Sequence, residues 1–198
     1  MMYWCGLRYG EAAHLLWDGQ NIDFGNNQIN IYNSPPTKDI PPFNIKDYEA
    51  RSVPMNKWVV DILTELHAKA DEKCPFVFLS SKRYEIVKTR WHNLLKAKKG
   101  RDWENRYMLN GVLRNFKSRC RAAGIKTNLK ITLHGLRKSW ATNLANSGKV
   151  PAHTLKELGG WSDIKICEEF YLQSSDANRE RACEVLNALA QSEEKVGV

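Results

Sequence analysis

The stretch LHGLRKSWATNLANSG, residues 133–148, carries both a fold signal and a chemical one. Its apolar residues recur at helical spacing, so Leu133, Leu136, Trp140 and Leu144 are expected as the buried stripe, with Gly148 as the stop. His134 and Arg137 stand three apart and therefore share a helix face. A guanidinium offers a planar fork and an imidazole a donor or a base, so the pair can hold an anion. A motif this short takes its meaning from its surroundings.

Upstream, GLRYGE (residues 6–11) sets Arg8 three residues before Glu11, a spacing that lets the carboxylate hold the guanidinium. The periodicity of Leu7, Gly10/Glu11 and Leu15 predicts one opening helix over residues 3–18. Next, Ile22 and Phe24, then Ile29 and Ile31, alternate around the turn signal GNN, which predicts a hairpin. Residues 33–50 hold Pro35, Pro36, Pro41 and Pro42 and read as a long excursion before a third strand, RSVPM, at residues 51–55.

From Lys57 onward the pattern is helical. Val60, Leu63 and His67 form one stripe of the next helix, with Val59, Ile62 and Leu66 beside it. Two basic amphipathic helices follow, over residues 84–100 and 108–125, separated from the first by a short apolar stretch, PFVFLS. Residues 151–160 open on a proline and close on glycines, the usual asymmetry of a short helix. Ser162 or Asp163 caps the helix IKICEEFYL, and an amphipathic segment, residues 177–191, follows it. The expected fold class is mainly α with a small antiparallel β-sheet near the N-terminus.

The 198 residues suffice for one domain with a sizeable core. With 42% hydrophobic and 26% charged residues, the composition is that of a folded chain rather than a disordered one. No apolar run has the length of a membrane span and no signal-peptide pattern opens the chain, so the expected location is cytoplasmic. The five scattered cysteines show neither a disulfide framework nor zinc spacing, and no metal site is expected. Thirty Lys and Arg against 22 Asp and Glu, a net charge of +8, favour a polyanionic partner. Residues 96–126 concentrate that charge and interleave it with aromatics.

The order of these pieces is more telling than any one of them. G-L-R-x-x-E, a small sheet with a lysine before R-S-V-P-M, H-G-L-R, L-G-G-W-S-D, and a tyrosine ten residues after that tryptophan together resemble the tyrosine recombinase (phage integrase) family. The resemblance runs from Arg8 to Tyr171 and implies that family's catalytic-domain fold over residues 1–198. It implies double-stranded DNA as partner, a homotetramer on two DNA sites, no membrane association, and cleavage and rejoining without metal or other cofactor.

By the same resemblance Arg8 and Arg137 clamp the phosphate, His134 is base or proton acceptor, and Tyr171 is the nucleophile. A hairpin lysine protonates the leaving oxygen. Lys46, five residues before Arg51, is favoured, and Lys38 is the alternative. Trp161 stands where the family usually has a second histidine, and its indole can donate to phosphate but cannot shuttle a proton. Family members carry an N-terminal DNA-clamping domain, which is expected to be missing here, and residues 176–198 are the expected segment for exchange with a neighbour. Relaxation of supercoils in the manner of a type IB topoisomerase is one rival reading. A truncated DNA-binding fragment with little activity is another.

Overall fold

An aspartate and two asparagines make the first turn. The Asp23 carboxylate accepts from the Asn26 amide N–H (2.9 Å) and Asn27 takes the left-handed conformation, φ 52°, which closes the hairpin. Strands β1 (Ile22–Asp23) and β2 (Gln28–Ile31) pair antiparallel, and β3 (Arg51–Pro54) joins the other side of β2. The order is β1-β2-β3, so Pro54, which has no N–H for a ladder, lies on an edge strand. Ile22, Ile29 and Ile31 are buried as the alternation predicted, and Val53 joins them, whereas Phe24 lies past the end of β1 and is half-buried.

The computed structural model describes residues 1–45, 50–125 and 131–172, with Glu180, Cys183 and Glu184 besides. Lys46 and nearly all of residues 176–198 therefore lie outside the described residues. The remaining helices are α1 (Tyr9–His14), α2 (Lys57–Ala68), α3 (Ser81–Lys96), α4 (Val112–Ala122), α5 (Leu133–Ser147), α6 (Ala152–Gly159) and α7 (Lys165–Leu172). Residues 1–140 form one compact unit and residues 141–198 a second. The protein is mainly helical with one small antiparallel sheet, as the sequence implied. Among the described residues, no helix is long and apolar enough to cross a membrane.

In the first unit, Cys5, Leu7 and Leu15 join the inward faces of the sheet and of α2 in one apolar cluster. A second cluster gathers Ala13, Phe76, Tyr84, Val87 and Met108 around α3. Helix α2 buries Val59 and Leu63, while Ile62 and Leu66 stay exposed, so its core stripe is narrower than the sequence suggested. PFVFLS forms no strand of the sheet, and only Phe76 makes a bridge, to Leu16.

The proline-rich excursion bends back on itself. Ser34 and Phe43 exchange backbone hydrogen bonds of 2.8 and 2.9 Å, and the tip between them is fastened to α3. There the Trp91 indole N–H donates to the Thr37 carbonyl (2.9 Å), and His92 and Lys88 pair with Asp39. Past the end of α3, Lys98 adopts φ 56°, a conformation usually left to glycine and costing other residues roughly 1–2 kcal/mol.

In the second unit, α6 ends with Gly160 at φ 60°, and the Gly160 and Trp161 amides return to the Glu157 and Lys156 carbonyls. The Trp161 ring then lies on Gly159, where a β-carbon would stand 2.1 Å from its Cζ3. The paired glycines of LGGW thus have separate tasks, one conformational and one steric. Asp163 starts α7 by accepting from the Lys165 amide (2.9 Å), and α7 buries Cys167 and Phe170.

Candidate active site

The opening segment is not one helix. Gly6 has φ +62°, and the helix begins only at Tyr9 with Arg8 as its N-cap. The cause is packing that residues 3–18 alone cannot reveal: a β-carbon at Gly6 would stand 2.3 Å from Cε3 of Trp140. The bare glycine backbone lets the indole close on it. Arg137 lies one turn before Trp140 on α5, so the same contact brings its guanidinium to this turn.

Arg137 is 1% exposed, its Nη1 donates to the Gly6 carbonyl, and it stands 4.0 Å from Glu11 Oε2. The buried stripe of α5 is therefore Arg137, Trp140, Ala141 and Ala145, with Leu133, Leu136 and Leu144 half-buried. This corrects the expected stripe by one position. Periodicity counts apolar residues, and it could not enrol a buried arginine. Thr132 starts α5, its hydroxyl accepting from the Gly135 amide (3.0 Å), and so fixes where His134 and Arg137 fall on the first turns.

Glu11 is the hub. It is 3% exposed, and its Oε2 accepts from the Arg8 amide (2.6 Å) and from Arg51 Nη2 (2.7 Å). Its Oε1 accepts from Arg8 Nη1 (3.1 Å). Burial alone would raise the Glu11 pKa, but hydrogen bonds and charge from Arg51, then Arg8, outweigh it and hold the carboxyl below its ordinary value. The site is thus a buried carboxylate with three guanidinium groups around it. Arg8 remains 22% exposed, so its guanidinium can be reached by an anion.

Arg51 entered the sequence reading only as a marker for counting back to Lys46. The sheet explains its role, because register places it opposite Ile31 on the edge strand, from where it reaches Glu11. The available signal was the arginine that opens a short strand ahead of V-P. His134 is exposed, and its pKa is lowered by burial first, then by the charges of Arg137, Lys138 and Arg8. Arg8, His134 and Arg137 are therefore electrostatic neighbours. Lys38 makes no hydrogen bond or ion pair with this cluster among the described residues; its loop is fastened to α3 instead. Trp161 and Tyr171 belong to the second unit, where the Trp161 and Phe170 rings stand 5.6 Å apart and Tyr171 falls in the last turn of α7.

One stability prediction arises here. His14 is buried, its Nδ1–H donates to the Gly10 carbonyl (2.7 Å), and burial depresses its pKa to about 4. The unfolded chain binds that proton below about 6.5, so the His14 contribution, on the order of 3 kcal/mol, is lost as pH falls from 6.5 to 4. Glu11 also has a depressed pKa, so its contribution holds above about 4.3 and is lost as pH falls through its lower folded value. Urea denaturation across this range is expected to show two successive losses of stability. Glu11→Gln is expected to cost about 3 kcal/mol at neutral pH and to remove only the lower step. A single step unaltered by Glu11→Gln would contradict the assignment.

The profile of the phage integrase family matches residues 1–178. The chain belongs to the phage integrase family. A search of curated protein sequences returned no match. Among solved structures, the integrase of the Tn1549 transposon in complex with a circular intermediate DNA superposes with a TM-score of 0.62 at 20% identity, covering 91% of this chain and 56% of that one. The same transposon integrase with transposon right end DNA gives 0.61 at 20%, covering 92% and 56%. XerA recombinase gives 0.61 at 19%, covering 92% and 54%. This integrase-family chain thus has the tyrosine recombinase catalytic fold and spans little more than half the length of those chains.

Proposed function

We propose that this chain is the catalytic part of a site-specific DNA recombinase acting through a covalent phosphotyrosine at Tyr171. The Tyr171 oxygen attacks a backbone phosphorus, the phenol proton passes to His134, and the bond to the 5′ oxygen breaks. That oxygen takes a proton from Lys46, leaving the DNA 3′ end on the enzyme. The 5′ hydroxyl of a partner strand then reverses each step. Double-stranded DNA is the substrate, and four copies working on two duplexes would provide the partner strands.

The observation that carries this reading is the Glu11 hub. Phosphoryl transfer requires charge preorganised around the non-bridging oxygens. Arg8 and Arg137, fixed by one carboxylate and by the Gly6 carbonyl, meet that requirement without reorganising. The lowered His134 pKa keeps its imidazole neutral near pH 7 and able to accept a proton. Trp161, packed on Gly159 and on Phe170 near the end of α7, offers an indole N–H to the phosphate.

A duplex nicked beside the cleavage site traps the intermediate, because the short fragment carrying the 5′ hydroxyl diffuses away. A protein–DNA adduct that survives denaturation is expected, and its absence would overturn the reading. The adduct-forming rate should fall as pH drops through a midpoint below about 6.5, the ordinary imidazole value. Replacing the leaving oxygen with sulfur removes the need for an acid. That substrate should rescue Lys46→Ala, and rescue of Lys38→Ala instead would transfer the role to Lys38.

A further inference from the structure

Outside the arginine cluster, the first unit carries an open groove of about 1240 Å³ between the proline-rich excursion and the end of α3. Lys38 projects from one wall, and Lys98, Lys99 and Arg101 from the other, all exposed. Among the described residues no ion pair holds any of the four, although acidic side chains lie close by. Asp39 is committed to Lys88 and His92, and Asp102 is the lone carboxylate among the described lining residues.

The floor is rigid. Trp91 and Trp103 pack edge to face at 5.9 Å, and Trp103 packs likewise on Tyr107 at 5.5 Å. Lys98 holds its place in the left-handed conformation where glycine would be unstrained, an outlier that points to a use for the side chain. The groove also continues toward the site. Asn105 lines it, and a β-carbon at Gly10, two residues after Arg8, would stand 3.9 Å from Asn105 Nδ2.

We infer that this groove binds the DNA phosphate backbone next to the reacting phosphate, with Lys38, Lys98, Lys99 and Arg101 as its phosphate contacts. The inference rests on DNA being the substrate. A row of unpaired cations along an open channel suits a chain of phosphates, each neutralised with release of counterions. Such contacts carry no base readout, so they should act alike on any duplex sequence.

The test measures duplex affinity against salt from about 50 to 200 mM for three proteins. These are the wild type, the double variant Lys98→Asn and Lys99→Gln, and a control, Lys69→Gln with Lys73→Gln, which removes equal charge outside the groove. Asparagine tolerates the left-handed conformation, so the groove variant should melt no lower than wild type. Its slope of log affinity against log salt should shrink by about 2, one for each lost phosphate contact, on specific and unrelated duplexes alike. Its affinity at low salt should fall by at least about tenfold, while the control changes neither. Wild-type binding to DNA with groove and control variants indistinguishable would overturn the groove alone. No DNA binding by the wild type would overturn the recombinase reading and the groove with it. Equal competition by poly-glutamate for the groove variant and the wild type would support phosphate as the ligand, and competition lost only in the variant would point to an acidic peptide and overturn it.

Discussion

Tyr171→Phe is expected to slow covalent adduct formation on a nicked duplex by at least about 10⁴-fold while leaving duplex affinity unchanged. Removing a nucleophile forfeits the whole covalent pathway, and 10⁴-fold corresponds to about 5 kcal/mol on the barrier. The change deletes a single oxygen, so the loss reports chemistry rather than shape. Other phenols are poor substitutes. Tyr9 donates to the Leu109 carbonyl, Tyr107 to Glu104, and Tyr32 to Asp18. Burial and Asp18 push the Tyr32 pKa to about 12, and burial raises those of Tyr9 and Tyr84. A phenol with a raised pKa yields even less phenolate at neutral pH than the ordinary value near 10 allows. An adduct that persists in Tyr171→Phe would sink the assignment, and mapping the linked peptide would name the true nucleophile.

Arg137 carries the second large effect, and two substitutions separate its tasks. Arg137→Ala removes a buried cation and leaves the Gly6 carbonyl without that donor and Glu11 with less opposing charge. Breaking a buried charge pair by removing one member costs about 3–5 kcal/mol, so this variant is expected to be markedly less stable. Arg137→Lys keeps the charge but not the planar fork, and one ammonium cannot serve Gly6, Glu11 and a phosphate together. It is expected to remain folded and to cleave about 10²–10³-fold more slowly, the loss typical of one preorganised donor in a transition-state site. Denaturant titration and single-turnover cleavage at saturating DNA measure the two effects independently. A lysine variant that cleaves at the wild-type rate would remove Arg137 from the phosphate clamp.

The Glu11 hub shows how far the residues could be read unaided. Arg8 and Glu11 are three apart, a local relation that helix spacing exposes. His134 and Arg137 are likewise local, and their common face follows from the same spacing. Arg51 escaped because its partner lies forty positions away, across a strand register that a four-residue segment does not encode. Lys38 and Lys46 could not be separated for a related reason. The four prolines announced an excursion but not where its tip would fasten, and the Trp91 and His92 side chains on α3 decide that for Lys38.

What the sequence determined by itself is whatever depends on near neighbours: the hairpin at Asp23–Gln28, the helix that Thr132 caps, the short α6 closed by Gly160, and the ordered motifs of a phage integrase family member. Tertiary structure alone decided the shortness of α1 and the burial of Arg137. Both follow from one long-range contact, the Trp140 indole resting on Gly6. That contact lets a cation sit in a helix's buried stripe because a carboxylate and a carbonyl are waiting there, which hydrophobic periodicity has no means to register.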